Sequence, residues 1–186
     1  MLINLFTYLI IPIYTIALAV QDDLFESNLS VISSSVEHKD AFMLWGVMIV
    51  AFIYLVLTKV IQNFKLKFEK IDYTLITSSC VLLLLSFTTP YSPEESPIKA
   101  NMHIAFAFSS TILLLLGFLF ITWELQKNNF KKYKRHFICA IIIDVVSAIL
   151  FLGVGIVSGF LEVFITISST LLAKSLLTQS QLENSG

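Results

Sequence analysis

The chain is 186 residues long, 56% hydrophobic and 13% charged, with 16 Phe and a formal net charge of −1, and its mean hydropathy is +0.85. That balance excludes a soluble domain and leaves no stretch from which a separate one could be built, so residues 1–186 read as one integral membrane domain. Six runs are apolar and long enough to cross a hydrocarbon core that takes roughly 20 helical residues.

The first run, Ile3 to Val20, ends on Ala17, Leu18 and Ala19, a small-residue pattern like a signal-peptide cleavage site. It has no basic residue ahead of its apolar stretch, so it is expected to span. Gln21 to Asp40 follows, at about 20 residues longer than a simple helix connection. Its stretch Leu29, Ser30, Val31, Ile32, Ser33 is apolar enough to dip back against the bundle, whereas Glu37, His38 and Asp40 make a small charged cluster that a solvated loop explains. The second and third spans are Ala41 to Ile61 and Tyr73 to Thr89. Pro90, Pro93 and Pro97 then stop the third helix and hold Thr88 to Lys99 extended.

The fourth span, Asn101 to Leu125, carries His103, Ala107, Ser110, Leu114 and Gly117 on one helical stripe. Before the fifth span, Phe137 to Val157, comes the basic run Lys131, Lys132, Tyr133, Lys134, Arg135. It reads as a topogenic signal that touches anionic lipid heads, at about 1 kcal/mol per charge, and not as a nucleic-acid site. Ala140, Asp144, Ser147, Phe151 and Gly155 share a stripe on the fifth span. The turn at Ser158 and Gly159 is so short that the fifth and sixth spans must form an antiparallel hairpin, with Gly155 and Gly159 letting the backbones come close. The sixth span, Phe160 to Leu177, places Glu162, Thr166, Ser169 and Ala173 on one stripe.

Lys59, Lys65, Lys67, Lys70, Lys127, Lys131, Lys132, Lys134, Arg135 and Lys174 are ten of the 12 basic residues and fall on one side, leaving Lys39 and Lys99 opposite. The positive-inside rule makes that side, and both termini, cytoplasmic. The expected fold is all-α, a polytopic six-transmembrane-helix bundle in the plasma or bacterial inner membrane.

Asp144 is the residue that apolarity explains least. A carboxylate at membrane depth costs about 2.5–3.5 kcal/mol on insertion scales and usually faces a protein interior or a water-filled cavity. It lies eight residues past His136, about 12 Å along the helix axis and so near the midplane. No basic residue falls at its depth in any span, which makes a neutral acid, held by hydroxyls such as Ser147, Thr77 or Ser78, the cheaper form there. His103 and Glu162 both begin helices at the outer surface, where they could meet.

Each of these residues also has an ordinary explanation. Small and hydroxyl residues mediate helix packing in membranes. A histidine at the interface hydrogen-bonds a loop, and a carboxylate at a helix start is favoured by the dipole. The sharper expectation is a ligand site built from His103, Glu162, Asp144, Ser110, Ser147 and Thr166. No GxSxG, HExxH, Walker loop, GxGxxG or Cys-rich metal motif occurs, and Cys80 and Cys139 read as reduced apolar fillers, so neither a cofactor nor a metal is expected.

Leu29, Ser30, Ile32 and Ser33 ahead of Phe42 and Trp45, the Pro90 to Pro93 loop followed by Met102 and His103, and Gly159, Phe160, Leu161 and Glu162 opening the last helix together resemble one bacterial family. It is an uncharacterised six-helix membrane family, a domain of unknown function distantly akin to the DRAM-type membrane proteins. Ser92 stands where that loop often carries an acid, and Val163 where a basic residue often follows. The resemblance implies a six-helix bundle with an outer-facing polar site built from the two long loops and His103, and it implies no activity.

Two functions fit these residues. The first is a non-enzymatic module that binds, senses or moves a lipid or other amphiphile in a cavity between the fourth, fifth and sixth helices, opening to the extracytoplasmic side. The second is an intramembrane lipid hydrolase or transferase with His103 as general base and Glu162 or Asp144 as its partner. Polar groups spread over several depths favour the first. The expected partners are a membrane lipid or small amphiphile and, at the protein level, a second copy of the chain or another membrane protein; nucleic acid is not among them.

Overall fold

The computed structural model describes residues 2–34 and 39–184, so Glu37 and His38 of the charged loop cluster lie outside the described residues. Among the described residues every regular element is a helix. They are α1 (Leu2–Ala19, with a π-helical stretch at Phe6–Ile10), α2 (Leu29–Ser34), α3 (Lys39–Phe64), α4 (Glu69–Thr88), α5 (Pro97–Asn128), α6 (Phe130–Val154) and α7 (Gly159–Asn184). All but the short α2 are long and apolar enough to cross a membrane.

Helix ends depart from the hydropathy-based boundaries where capping chemistry outruns hydropathy. Pro97 opens α5 instead of closing the extended connection, because a proline at the first helical position gives up an N–H that would have no partner there. Asn129 caps α6, accepting from the Lys132 N–H at 3.3 Å, so the basic run expected ahead of that helix is its first two turns. α7 continues past Leu177 to Asn184. Side chains on neighbouring helices hold that polar extension: Asn63 Nδ2 donates to Ser180 Oγ at 2.9 Å, Lys132 Nζ pairs with Glu183 at 2.5 Å, and the Tyr133 hydroxyl donates to the same carboxylate.

The two glycines expected to bring the last helices together do something else. Gly155 terminates α6 with φ 79°, a left-handed conformation that glycine enters without steric cost, and a Cβ there would meet none of the described residues. Gly159 begins α7, and a Cβ on it would face Leu24 O and Ser27 O of the first loop at 3.6 Å, not α6.

α3 packs on α4, α4 on α5, α5 on α6, α6 on α7, and α7 back on α3, so five helices close a ring with α1 outside it against α3 and α7. The Trp45 indole donates to Thr15 Oγ1 at 2.8 Å and the Tyr14 hydroxyl to Ala41 O at 2.9 Å, which fastens α1 to α3. Ser79 and Ser110 clasp α4 to α5, each hydroxyl donating to the other residue's carbonyl at 2.9 and 2.8 Å. The outward face of α6 shows Ile138, Ile142, Val145, Ile149 and Leu152, the apolar patch expected of a surface that meets hydrocarbon. Cys80 is buried, Cys139 is exposed, and both thiols are free.

The two halves of the ring differ. Toward the lysine-rich end, Leu57, Val60, Ile61, Phe118, Ile121, Leu176 and Leu177 are almost wholly buried and fill the interior. Toward the other end the same five helices enclose a space.

Gly46 lies under the ring of Phe87, which Phe42 and Trp45 flank at 5.1 and 6.0 Å between ring centroids, and a Cβ on Gly46 would collide with that ring. Gly46→Ala is expected to lower stability by about 1–3 kcal/mol through overpacking. Adding Phe87→Leu should recover part of the loss. Thermal unfolding of the single and double variants in detergent checks this, and an Ala variant as stable as the parent would show that the ring is free to move.

Candidate functional site

The space is a partly open cavity of about 330 Å³ lined by all five ring helices and by Asn28, Ser30 and Tyr91 from the two connections. Three stripes read from the sequence meet on it: His103, Ala107, Ser110 and Leu114 from α5; Asp144, Ser147 and Phe151 from α6; and Glu162, Thr166 and Ser169 from α7. The opposite wall is aromatic and aliphatic, with Phe42, Trp45, Ile49 and Ile53 of α3 and Leu83 and Phe87 of α4.

At its outer end the polar residues are committed to holding the first loop. His103 Nδ1 lies 2.7 Å from Ser86 O and 2.9 Å from Thr89 O, and Nε2 lies 2.8 Å from Ser30 Oγ. A carbonyl only accepts, so Nδ1 carries a proton and donates to two carbonyls at the end of α4: Thr89 O, and Ser86 O beside the capping Thr89 N–H that it also accepts at 3.1 Å. Glu162 Oε2 accepts the Leu29 N–H at 2.7 Å, the first orphan donor of α2. In exchange, the first two N–H groups of α7 donate into the loop, Gly159 to Ser27 O at 2.7 Å and Phe160 to Leu24 O at 2.8 Å. Phe25 stacks on Phe160 with ring centroids 5.3 Å apart. Leu29 is fully buried and Ser30 nearly so, as the dip of this loop against the bundle requires.

His103 and Glu162 therefore border one space without bonding each other. Each anchors the loop through a separate partner. With its proton on Nδ1, the neutral His103 ring directs its Nε2 lone pair at the Ser30 hydroxyl. Ser110, satisfied by its clasp with Ser79, adds surface to the wall and no open hydrogen-bonding capacity.

Deeper in, the polar atoms are open. Asp144 Oδ1, Ser147 Oγ and Ser169 Oγ are buried and have no hydrogen-bond partner among the described residues. Helix register puts them close in depth: Asp144 precedes the end of α6 at Val154 by as many residues as Ser169 follows the start of α7 at Gly159, about 15 Å in each case at 1.5 Å per residue. The hydroxyl partners expected for Asp144 are thus not realised. Ser147 is on its face but unbonded, while Thr77 and Ser78 belong to α4, from which α5 separates α6. Buried polar groups are nearly always paired, so three orphans converging on one cavity mark a place that a hydrogen-bonding guest would complete.

A second acidic pair escaped the sequence analysis. Asp72 of α4 is fully buried with both carboxyl oxygens unpartnered among the described residues, and Glu124 of α5 stands beside it, accepting the Phe68 N–H at 3.1 Å through Oε1 while Oε2 is unpartnered. Both lie at the lysine-rich end, away from the cavity. Acids near helix termini are commonplace in sequence, and nothing in their spacing announced that these two face inward. No group of three or more His, Cys, Asp or Glu able to hold a metal occurs among the described residues.

Neither a family model, nor a curated protein, nor a solved structure matches the chain.

Two outcomes follow from the contrast between committed and open groups. His103→Ala strips donors from Ser86 O and Thr89 O and should cost about 1–3 kcal/mol, with faster hydrogen exchange at Leu29 and cleavage by protease within 21–34. Glu162→Gln keeps an acceptor for Leu29 and should stay protected. Asp144→Leu, by contrast, breaks no hydrogen bond and removes an unpartnered acid, so its thermal stability in detergent should equal or exceed that of the parent. A Leu variant less stable by more than about 1 kcal/mol would reveal a partner for the carboxyl.

Proposed function

We propose that this chain is a multipass membrane protein that binds a lipid or other amphiphile in the cavity enclosed by α3 to α7, as a step in sensing or moving it. What carries the reading is the cavity itself. It joins a long apolar wall to three unpartnered polar atoms at its floor, the combination an amphiphile satisfies and neither water nor a purely apolar guest does. A protein selected for stability alone would place an apolar side chain at position 144. The ligand-binding residues on this reading are Asp144, Ser147, Thr166 and Ser169, with Glu162 and His103 holding the loop that roofs the site.

An intramembrane hydrolase or transferase draws less support, because its polar groups lie at different depths, His103 at the loop and Asp144 toward the middle of α6. The positive-inside bias supports cytoplasmic termini, which puts the cavity roof on the extracytoplasmic side of the plasma or inner membrane. The likeness of the loop and helix-opening motifs to the six-helix family distantly akin to DRAM-type proteins belongs to the same proposal.

Native mass spectrometry of gently purified protein is expected to show a co-purifying amphiphile. The double variant Thr166→Leu, Ser169→Leu should expel it by filling the cavity. Retention of the same species by the filled variant would place it on the outer surface and sink the reading. For orientation, single cysteines replacing Ser92 and Asn129, in a background with Cys80 and Cys139 changed to Ala, should label from outside intact cells at 92 and not at 129.

A further inference from the structure

The cavity wall discriminates between head groups. Its ionisable lining residues are Asp144, Glu162, His103 and the phenol Tyr91, and among the described residues neither lysine nor arginine lines it. His103 and one oxygen of Glu162 are spent on the loop. The open groups are the Asp144 carboxyl and the hydroxyls of Ser147 and Ser169, whose residues are only 6% and 1% exposed. All three present oxygens that accept hydrogen bonds, and the two hydroxyls can donate as well. A phosphate or carboxylate head would meet a carboxyl with no cation to offset the repulsion. A primary ammonium suits the same atoms, because it brings three N–H donors, no acceptor and the positive charge that would let the neutral Asp144 acid ionise.

Toward the loop the cavity is lined by aromatic rings. Phe108 and Phe151 pack at 5.4 Å between ring centroids on one side, with Phe42, Trp45 and Phe87 on the other. Its volume, about 330 Å³, falls at the small end of ligand pockets, which run from about 300 to 1,000 Å³. That is room for one slender chain. Resting on the reading of the cavity as an amphiphile site, we infer that its ligand is a single-chain amphiphile with a primary ammonium head, seated on Asp144, Ser147 and Ser169 with its chain lying along the aromatic wall toward the loop.

The test uses Trp45, which lines the cavity, as its reporter. The full chain carrying Trp123→Phe is placed in nanodiscs of zwitterionic lipid and titrated with dodecylamine, dodecyltrimethylammonium, dodecanol or dodecanoate, with protein-free nanodiscs as the blank. Dodecylamine is expected to shift Trp45 emission saturably and to bind at least about tenfold more tightly than the other three. Asp144→Asn, nearly isosteric and checked for an unchanged melting temperature, should bring dodecylamine binding down to that of dodecanol, and Ser169→Ala should weaken dodecylamine binding. Equal binding of dodecanol or dodecanoate, or an Asn variant that binds dodecylamine unchanged, overturns the ammonium head while the amphiphile cavity stands. Equal binding of dodecyltrimethylammonium overturns the N–H donor seat in favour of charge alone. No saturable response to any of the four overturns both.

Discussion

A polar atom in an apolar bundle has two places to face, hydrocarbon or a space that the helices enclose, and the closure of α3 to α7 into a ring supplies the second. Everything else in the molecule is arranged around that closure. α3 makes it possible by packing on both α4 and α7, and α1 covers its outer side through Trp45 and Tyr14. The lysine-rich half of the ring is filled by Leu57, Ile61, Ile121 and Leu176 and supplies the dispersion and packing that hold the helices together. The other half then tolerates a cavity and three orphaned polar atoms, a departure from good packing of the kind functional sites make.

The loop between α1 and α3 is held by a different device. Its tether to α7 is reciprocal: backbone N–H groups of the helix start donate into the loop, and the carboxylate one turn along accepts from it. Helix starts and ends are where a membrane protein has unpaired backbone groups to spare, and here the first turn of α7 and the last turn of α4 both spend theirs on closing the roof.

The helices and their inward faces were legible in the sequence because both depend on a 3.6-residue period that apolar and small residues mark plainly. His103, Asp144, Ser147, Glu162, Thr166 and Ser169 all reach the cavity as that period predicts. What the residues did with their position was not legible. Whether His103 met Glu162 or the ends of α4 and α2 turned on loop carbonyls and amides, which every residue carries and no motif advertises. Hydropathy misplaced the starts of α5 and α6 for a related reason: Pro97 and Asn129 act through backbone geometry, and a charged first turn is still helix. Asp72 and Glu124 went unread because burial at a helix end depends on what the neighbouring helix brings opposite it.

That last pair bears on how two neighbouring helices depend on each other. Asp72 faces α5 from the first turn of α4, Glu124 faces α4 from the last turns of α5, and the Ser79–Ser110 clasp lies between them and the connecting loop. Either helix alone would hold its acid and its serine toward lipid tails, at a cost that only the other relieves. The two helices are thus complements: each turns toward the other the acid and the serine that it could not leave facing hydrocarbon.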